Sequence, residues 1–277
     1  MSFRDILEFI LEVSEEAREV ARRVAASGEA GRRLGVGASG DITLEIDREV
    51  EDAIVKSIDS SLDEYVIVSE EKGVLTKGRS PELYFIIDPI DGSLNAEKGI
   101  GIYSISIAVS KGDSFADIIA GVVRSVVTDD VYYGYKGSGA YLNSRKIEVT
   151  PAVFKPVANV SFPRKAGLKP IGVIRYLIEN GFWVRILGCA SIEACHVASN
   201  TVDAFVCFWN TLRVVDIAAA YLILKEAGAR IYTSKDEKNI RLNLSERVNI
   251  ISARNRDILT LIKGFLDEQG FDLSGGS

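Results

Sequence analysis

Histidine is nearly missing from this sequence: His196 stands alone in 277 residues. A Ser-His-Asp triad, a Cys-His pair or a multi-histidine metal site would have to form around that one ring. It lies in the small-residue run Ala194-Cys195-His196-Val197-Ala198, the setting of a packed helical residue rather than a catalytic one. Cysteine is scarce too. Cys189, Cys195 and Cys207 fall in one short region, are odd in number and form no CxxC pair. Neither a disulfide framework nor a zinc site is suggested, and a reducing, cytoplasmic setting is expected. The longest apolar run, residues 217–224, falls far short of the roughly 20 residues that span a bilayer, so no membrane partner is expected. Basic charge is outweighed, 33 Lys and Arg against 39 Asp and Glu, and the net −6 offers no field to gather nucleic acid. Acids interleave with the apolar residues after Phe3-Arg4-Asp5, which is not the pattern of a secretory leader. Any chemistry here is expected to rest on carboxylates.

What is present reads as a globular chain, 47% hydrophobic and 26% charged. Ile6, Leu7, Ile10, Val13, Ala17, Val20, Ala21 and Val24, with Phe3 before them, recur at helical spacing and predict a long amphipathic helix over 3–26. Gly28, Gly31, Gly35, Gly37 and Gly40 predict a flexible loop over 28–41, and a second helix follows Asp47. Residues 65–69, 83–88, 102–109, 118–127 and 131–135 read as strands of a mostly antiparallel sheet. Four of the six prolines, at 151, 156, 163 and 170, mark a change near residue 150. Beyond it strands and helices alternate to about residue 268, which predicts a sheet covered by helices. The expected division is an N-terminal α+β part, 1–150, and a C-terminal α/β part, 151–277, with 274–277 a loose tail.

The informative segment is Leu83-Tyr84-Phe85-Ile86-Ile87-Asp88-Pro89-Ile90-Asp91-Gly92-Ser93. An apolar strand is expected to end at Asp88, proline to force a turn, and Gly-Ser to open a short helix. Two carboxylates at a strand end supply hard oxygen ligands suited to magnesium. Gly92 lets the backbone approach a ligand, and free amides at a helix start favour phosphate. The competing reading is an ordinary Asp-Pro-x-Asp-Gly turn. Aspartate-nucleophile phosphatases also place two aspartates after a strand, but two apart; here they are three apart, which would misplace the acid relative to the nucleophile. Upstream, Glu70-Glu71 ends another predicted strand. Downstream, Asp216 opens the small-residue helix Asp216-Ile217-Ala218-Ala219-Ala220, where a capping role competes. Asp41, Glu45 and Asp47 follow the glycine-rich stretch.

Together Thr43 with Asp47, Glu70-Glu71, Asp88-Pro-Ile-Asp-Gly-Ser93 and Asp216-x-Ala-Ala, in that order, resemble inositol monophosphatase-type phosphatases. The likeness is to the branch with archaeal enzymes acting on inositol phosphates and fructose 1,6-bisphosphate, and covers roughly residues 5–265. The resemblance implies a layered αβαβα sandwich of the sugar phosphatase type, with the site between its two parts. It implies two or three Mg2+ ions held by Glu70, Asp88, Asp91, Asp216 and the Ile90 carbonyl. It gives the Gly92 and Ser93 amides to the substrate phosphate, and gives Glu70, Ser93 and Asp47 to catalysis, with water as the attacking group. The loop around 35–41 would be mobile and close over the site. A homodimer and a small phosphorylated sugar or polyol substrate are further family expectations.

Some positions depart from the family pattern. Ser93 stands where threonine is common, which keeps the hydroxyl; Val215 replaces a frequent tryptophan; Ala220 and Ala229 replace frequent glycines. Phe208-Trp209-Asn210-Thr211 carries no acid where some relatives grip polyol hydroxyls, which weakens an inositol preference. Arg164, Lys165, Arg185 and Ala190 are the candidates for the sugar side, the first two for a second phosphate. Rival readings are a 3′(2′),5′-bisphosphate nucleotidase and a non-catalytic regulatory member, the latter opposed by the intact acids.

Overall fold

A computed structural model of the chain describes residues 3–151 and 154–271. Helix α1 (Phe3–Ser27) buries Ile6, Ile10, Val13, Ala17, Ala21 and Val24 along one stripe. The glycine-rich stretch 28–41 is irregular, as expected, except for β1 (Arg33–Val36), which pairs with β2 (Ile42–Leu44) in a small hairpin. Pairing between these two short strands supplies order that composition does not announce. Helix α2 (Glu45–Ser61) begins ahead of Asp47, not after it, because the Asp47 carboxylate accepts the Leu44 backbone N–H at 2.9 Å and caps the first turn.

Eight strands then form one sheet: β3 (Tyr65–Ser69), β4 (Gly73–Lys77), β5 (Tyr84–Asp91), β6 (Ser104–Ser110), β7 (Ile118–Ser125), β8 (Val131–Tyr135), β9 (Gly139–Leu142) and β10 (Arg145–Ile147), with helix α3 (Ser93–Lys98) between β5 and β6. The order is β10-β9-β8-β7-β6-β5-β3-β4, antiparallel throughout except that β3 and β5 run parallel. Strand β4 had no counterpart in the sequence reading. The second sheet holds β11 (Val157–Val160), β12 (Trp183–Arg185), β13 (Ala204–Arg213), β14 (Arg230–Thr233) and β15 (Arg247–Ala253) in the order β12-β11-β13-β15-β14. Its helices are α4 (Lys169–Glu179), α5 (Ala190–Ala198), α6 (Val214–Glu226) and α7 (Arg256–Glu268). Strand β13 runs on to Arg213 because it keeps pairing with β15 through Leu212↔Val248 and Arg213↔Arg247.

Side-chain alternation along the large sheet sorts two cores. Phe85, Ile87, Ile105, Ile107, Ala120 and Val122 face α1 and α2; Ile86, Ala108 and Val123 face the opposite side, toward α5 and α6. Helix α6 is buried from Val214 to Leu224 because both faces are covered, one by β5 to β9 and the other by the five-stranded sheet. Helices α4 and α7 cover the far face of that sheet. The layers are therefore helix, sheet, helix, sheet, helix, as the resemblance implied. Close approach of α6 to β7 sets its height: a Cβ on Gly121 would lie 2.8 Å from the Ala219 carbonyl oxygen. That approach seats the first turn of α6, and Asp216 with it, against the end of β5.

Candidate active site

Strand β5 does not stop at Asp88. It continues across Pro89 to Asp91, with its register against β6 broken: Asp88 pairs with Ser106 and Asp91 with Ser104. Three steps on β5 thus face two on β6, a bulge located where proline lacks the N–H a regular ladder needs. In an unbroken strand residues three apart point to opposite faces; the extra residue turns Asp88 and Asp91 toward the same side. Gly92 follows at φ +94°, where a Cβ would sit 3.1 Å from the carbonyl oxygens of Ile102 and Gly188. Only glycine fits there without strain.

Glu70, just past the end of β3, Asp88 on β5 and Asp216 on α6 each offer an oxygen within 4.8 Å of the others, all three side chains being buried. Asp91, also buried, is turned aside from this trio: its Oδ2 accepts hydrogen bonds from the Ser191 N–H and hydroxyl, both at 2.6 Å, and from the Cys189 thiol at 3.3 Å. Like charges so close resist ionisation. Burial raises Glu70 to about 8, with Arg213 opposing and Asp216 adding to the shift. Burial, then Glu70 and Asp91, push Asp88 well above the usual carboxylate range. Asp91 rises to about 6, by burial and Asp216 against the pull of the Ser191 hydrogen bonds.

Asp88 decides what the cluster is suited for. Neither of its carboxylate oxygens has a hydrogen-bond partner, and both are buried. A carboxylate held so, between two others, suits a cation, and the donors on offer are all hard oxygens, the preference of magnesium or calcium rather than of a thiolate-seeking metal. The residues fit a divalent ion.

Above the cluster, the Ser93 hydroxyl lies 2.8 Å from both Asp47 Oδ1 and the Ile90 carbonyl oxygen. Burial carries Asp47 to about 7, against the hydrogen bonds from Leu44 and Ser93. Ser93, Ile90, Gly92, Asp91, Glu70, Asp216, Ala190, Arg164 and Lys165 all line one cleft of about 470 Å3 between the two sheets. Arg164 and Lys165 are exposed on its rim. Arg185 is elsewhere: it sits exposed on edge strand β12, with its guanidinium bonded to the Val184 carbonyl oxygen at 2.9 Å, and is not part of the cleft lining. His196 is half-buried beside Asn159, 3.4 Å away, and burial lowers its pKa, as a packed, neutral ring requires. All three cysteines are buried and free.

Sequence reasoning missed Arg213. Its guanidinium pairs with Glu70, with Asp216 at 2.9 Å and with Asp41 at 3.2 Å. Burial disfavours its charge, but Asp216, Glu70 and Asp88 outweigh that and keep it protonated. The available signal was a base three residues before Asp216, at the position whose backbone N–H the Asp216 carboxylate caps at 3.1 Å. The turn after β1 is docked as well: the Ala38 and Ser39 N–H groups donate to the Glu71 and Glu70 carbonyls at 2.9 and 3.0 Å.

The sequence pattern of the Inositol monophosphatase family matches residues 4–264. The chain is 36% identical over 234 residues to a fructose-1,6-bisphosphatase/inositol-1-monophosphatase of Methanocaldococcus jannaschii, covering 84% of this chain and 88% of that one. It is 30% identical over 266 residues to a bifunctional NADP phosphatase/NAD kinase of Methanococcus maripaludis; there 89% of this chain spans only 47% of the relative, about half its length. A crystal structure described as an inositol monophosphatase-fructose 1,6 bisphosphatase superposes with a TM-score of 0.79 at 34% identity, over 94% of this chain and 98% of that one. No helix among the described residues is long and apolar enough to cross a membrane.

Proposed function

The chain belongs to the inositol monophosphatase family, whose members are metal-dependent phosphatases, and we propose that it is a magnesium-dependent phosphate monoester hydrolase acting on fructose 1,6-bisphosphate, inositol monophosphate or both. The observation that carries the metal assignment is Asp88, buried with both oxygens unpartnered between Glu70 and Asp216, which line the cleft. Glu70, Asp88, Asp91, Asp216 and the Ile90 carbonyl would hold the ions. Bound there, magnesium supplies charge neutralisation for the phosphate, a more acidic water and stabilisation of the leaving oxygen.

The remaining roles follow from the chain's own atoms. Donating its proton to Asp47 or Ile90 leaves the Ser93 oxygen as an acceptor, able to fix one hydrogen of an attacking water, and Glu70 would accept from the other. The Gly92 and Ser93 amides, at the start of α3, present donors to the phosphate. Exposed Arg164 and Lys165 on the rim suit a second phosphate, and no acid lies in Phe208-Trp209-Asn210-Thr211 to grip polyol hydroxyls, so fructose 1,6-bisphosphate is the favoured substrate. A homodimer in the cytoplasm goes with this reading as a family expectation.

A second reading, a nucleotide phosphatase, is favoured by the mouth of the cleft, where Ile42 and Leu94 are 50% and 66% exposed and could meet a base or nicotinamide ring. One panel separates them: phosphate release from fructose 1,6-bisphosphate, inositol 1-phosphate, adenosine 3′,5′-bisphosphate and NADP, with magnesium and with excess chelator. Release from the sugar or polyol phosphates only, abolished by chelator, is the expected result. Release from NADP or the adenosine bisphosphate alone would give the site to nucleotides.

Ser93→Ala tests the water-orienting role. Losing that contact is expected to lower kcat by about 10- to 100-fold while KM changes less than threefold. A rise in KM with kcat unchanged would reassign Ser93 to phosphate binding.

A further inference from the structure

Arg213 takes the oxygens that a metal would need. Its backbone is fixed by pairing of β13 with β15 and by the N–H bond to Asp216, so only the side chain is free to move. That side chain satisfies Glu70 and Asp216, two members of the three-carboxylate cluster, and leaves both oxygens of Asp88 without a hydrogen-bond partner. One guanidinium cannot serve all three carboxylates. A divalent ion can, with twice the charge concentrated on one centre. A carboxylate oxygen that accepts from the guanidinium also offers less of its lone-pair density to a metal ion. The side chain is 16% exposed and lines the cleft, so it has somewhere to go when displaced.

Building on the metal assignment above, we propose that Arg213 is an exchangeable counter-cation of the carboxylate cluster: it neutralises Glu70 and Asp216 and competes with the divalent ion for them. Metal uptake then requires the guanidinium to leave these two carboxylates and turn toward the cleft. Its contact with Asp41, on the turn that docks over Glu70 and Glu71, ties that movement to the turn closing the site. The arrangement stabilises the cluster without metal and lowers its apparent metal affinity.

The test is calorimetric titration of Mg2+ alone into chelator-stripped protein at fixed ionic strength, for wild type, Arg213→Gln, Arg213→Lys and Arg164→Gln. Melting temperatures are measured alongside in chelator. Arg213→Gln is expected to bind Mg2+ about tenfold more tightly than wild type, because the competitor is gone, and to melt several degrees lower in chelator. Arg213→Lys, which keeps the charge, should stay nearer wild type on both counts. Arg164→Gln removes a rim charge screened by solvent and should shift Mg2+ affinity less than about twofold. Unchanged or weaker Mg2+ binding by Arg213→Gln would overturn the competition. Equal tightening by Arg164→Gln would also overturn it, as an effect of overall charge. Failure of wild type and every variant to bind Mg2+ would instead remove the metal assignment itself, and the competition with it.

Discussion

Asp88→Asn is expected to lower kcat at least a thousandfold, roughly 4 kcal/mol of barrier, while the protein in chelator melts no lower than wild type. The two effects have one origin. Asp88 is fully buried, lies between Glu70 and Asp216, and has no hydrogen bond to lose. Asparagine has the same shape, so no cavity forms. The change removes a negative charge that the cluster repels, which favours the fold, and a hard ligand that an ion needs, which ends turnover. Carboxylates of this kind are kept for chemistry at a cost in stability. Steady-state phosphate release with magnesium, and thermal melts in chelator at pH 8, check both halves. Activity within tenfold of wild type would show that Asp88 is not a ligand. A large drop in melting temperature would show that its charge has a structural partner after all.

The elements that sequence disclosed are those whose information is local. Ile6, Ile10, Val13, Ala17, Ala21 and Val24 repeat at helical spacing because α1 buries a single stripe. Tyr84 to Asp88 reads as a strand because β5 is covered on both faces, and the acids after it stand out against that apolar run. What escaped depends on distant partners. The β1–β2 hairpin hides in a glycine-rich composition; β4 is short, its side chains partly exposed, and is recruited by β3. The bulge at Pro89 puts Asp88 and Asp91 on the same side of β5, but it is visible only as slippage against β6. Arg213 meets Glu70 from 143 residues away, and its spacing from Asp216 hints at the first-turn cap but not at the contact with Glu70. Arg185 shows the converse. Its sequence neighbourhood, ahead of Gly188-Cys189-Ala190-Ser191, pointed to the cleft, yet β12 is an edge strand and carries the side chain outward.

The buried acids in and around the cluster make the stability of the stripped protein fall with rising pH, and magnesium should cancel the part of that fall that its ligands contribute. Asp47 is raised from 3.8 to about 7, Asp91 to about 6 and Glu70 from 4.5 to about 8, each chiefly by burial. Unfolded, these groups return to the ordinary range near 4. Between the two values the folded chain binds more protons than the unfolded one, so folding loses stability as pH rises through that window. The contribution is fully present below about pH 4 and is lost as pH rises through about 6 for Asp91, 7 for Asp47 and 8 for Glu70. Asp47 alone, almost fully buried, corresponds to about 4 kcal/mol across its window, a shift on the order of 10 °C in melting temperature for a chain of this size. His196 acts in the other direction, since burial favours its neutral ring, but only at and below about pH 6.5. The groups lowered from the carboxylate range, Asp59, Glu97 and Glu237, act only at still lower pH. The range from 6.5 to 8.5 therefore isolates the buried acids. In chelator, melting temperature should drop steadily across it. With saturating magnesium, ionised carboxylates gain a partner only in the folded chain, and the slope should flatten or change sign. Equal falling slopes with and without magnesium would mean that the acids titrating in this range do not hold the ion, and a flat slope in chelator would mean that they do not titrate there.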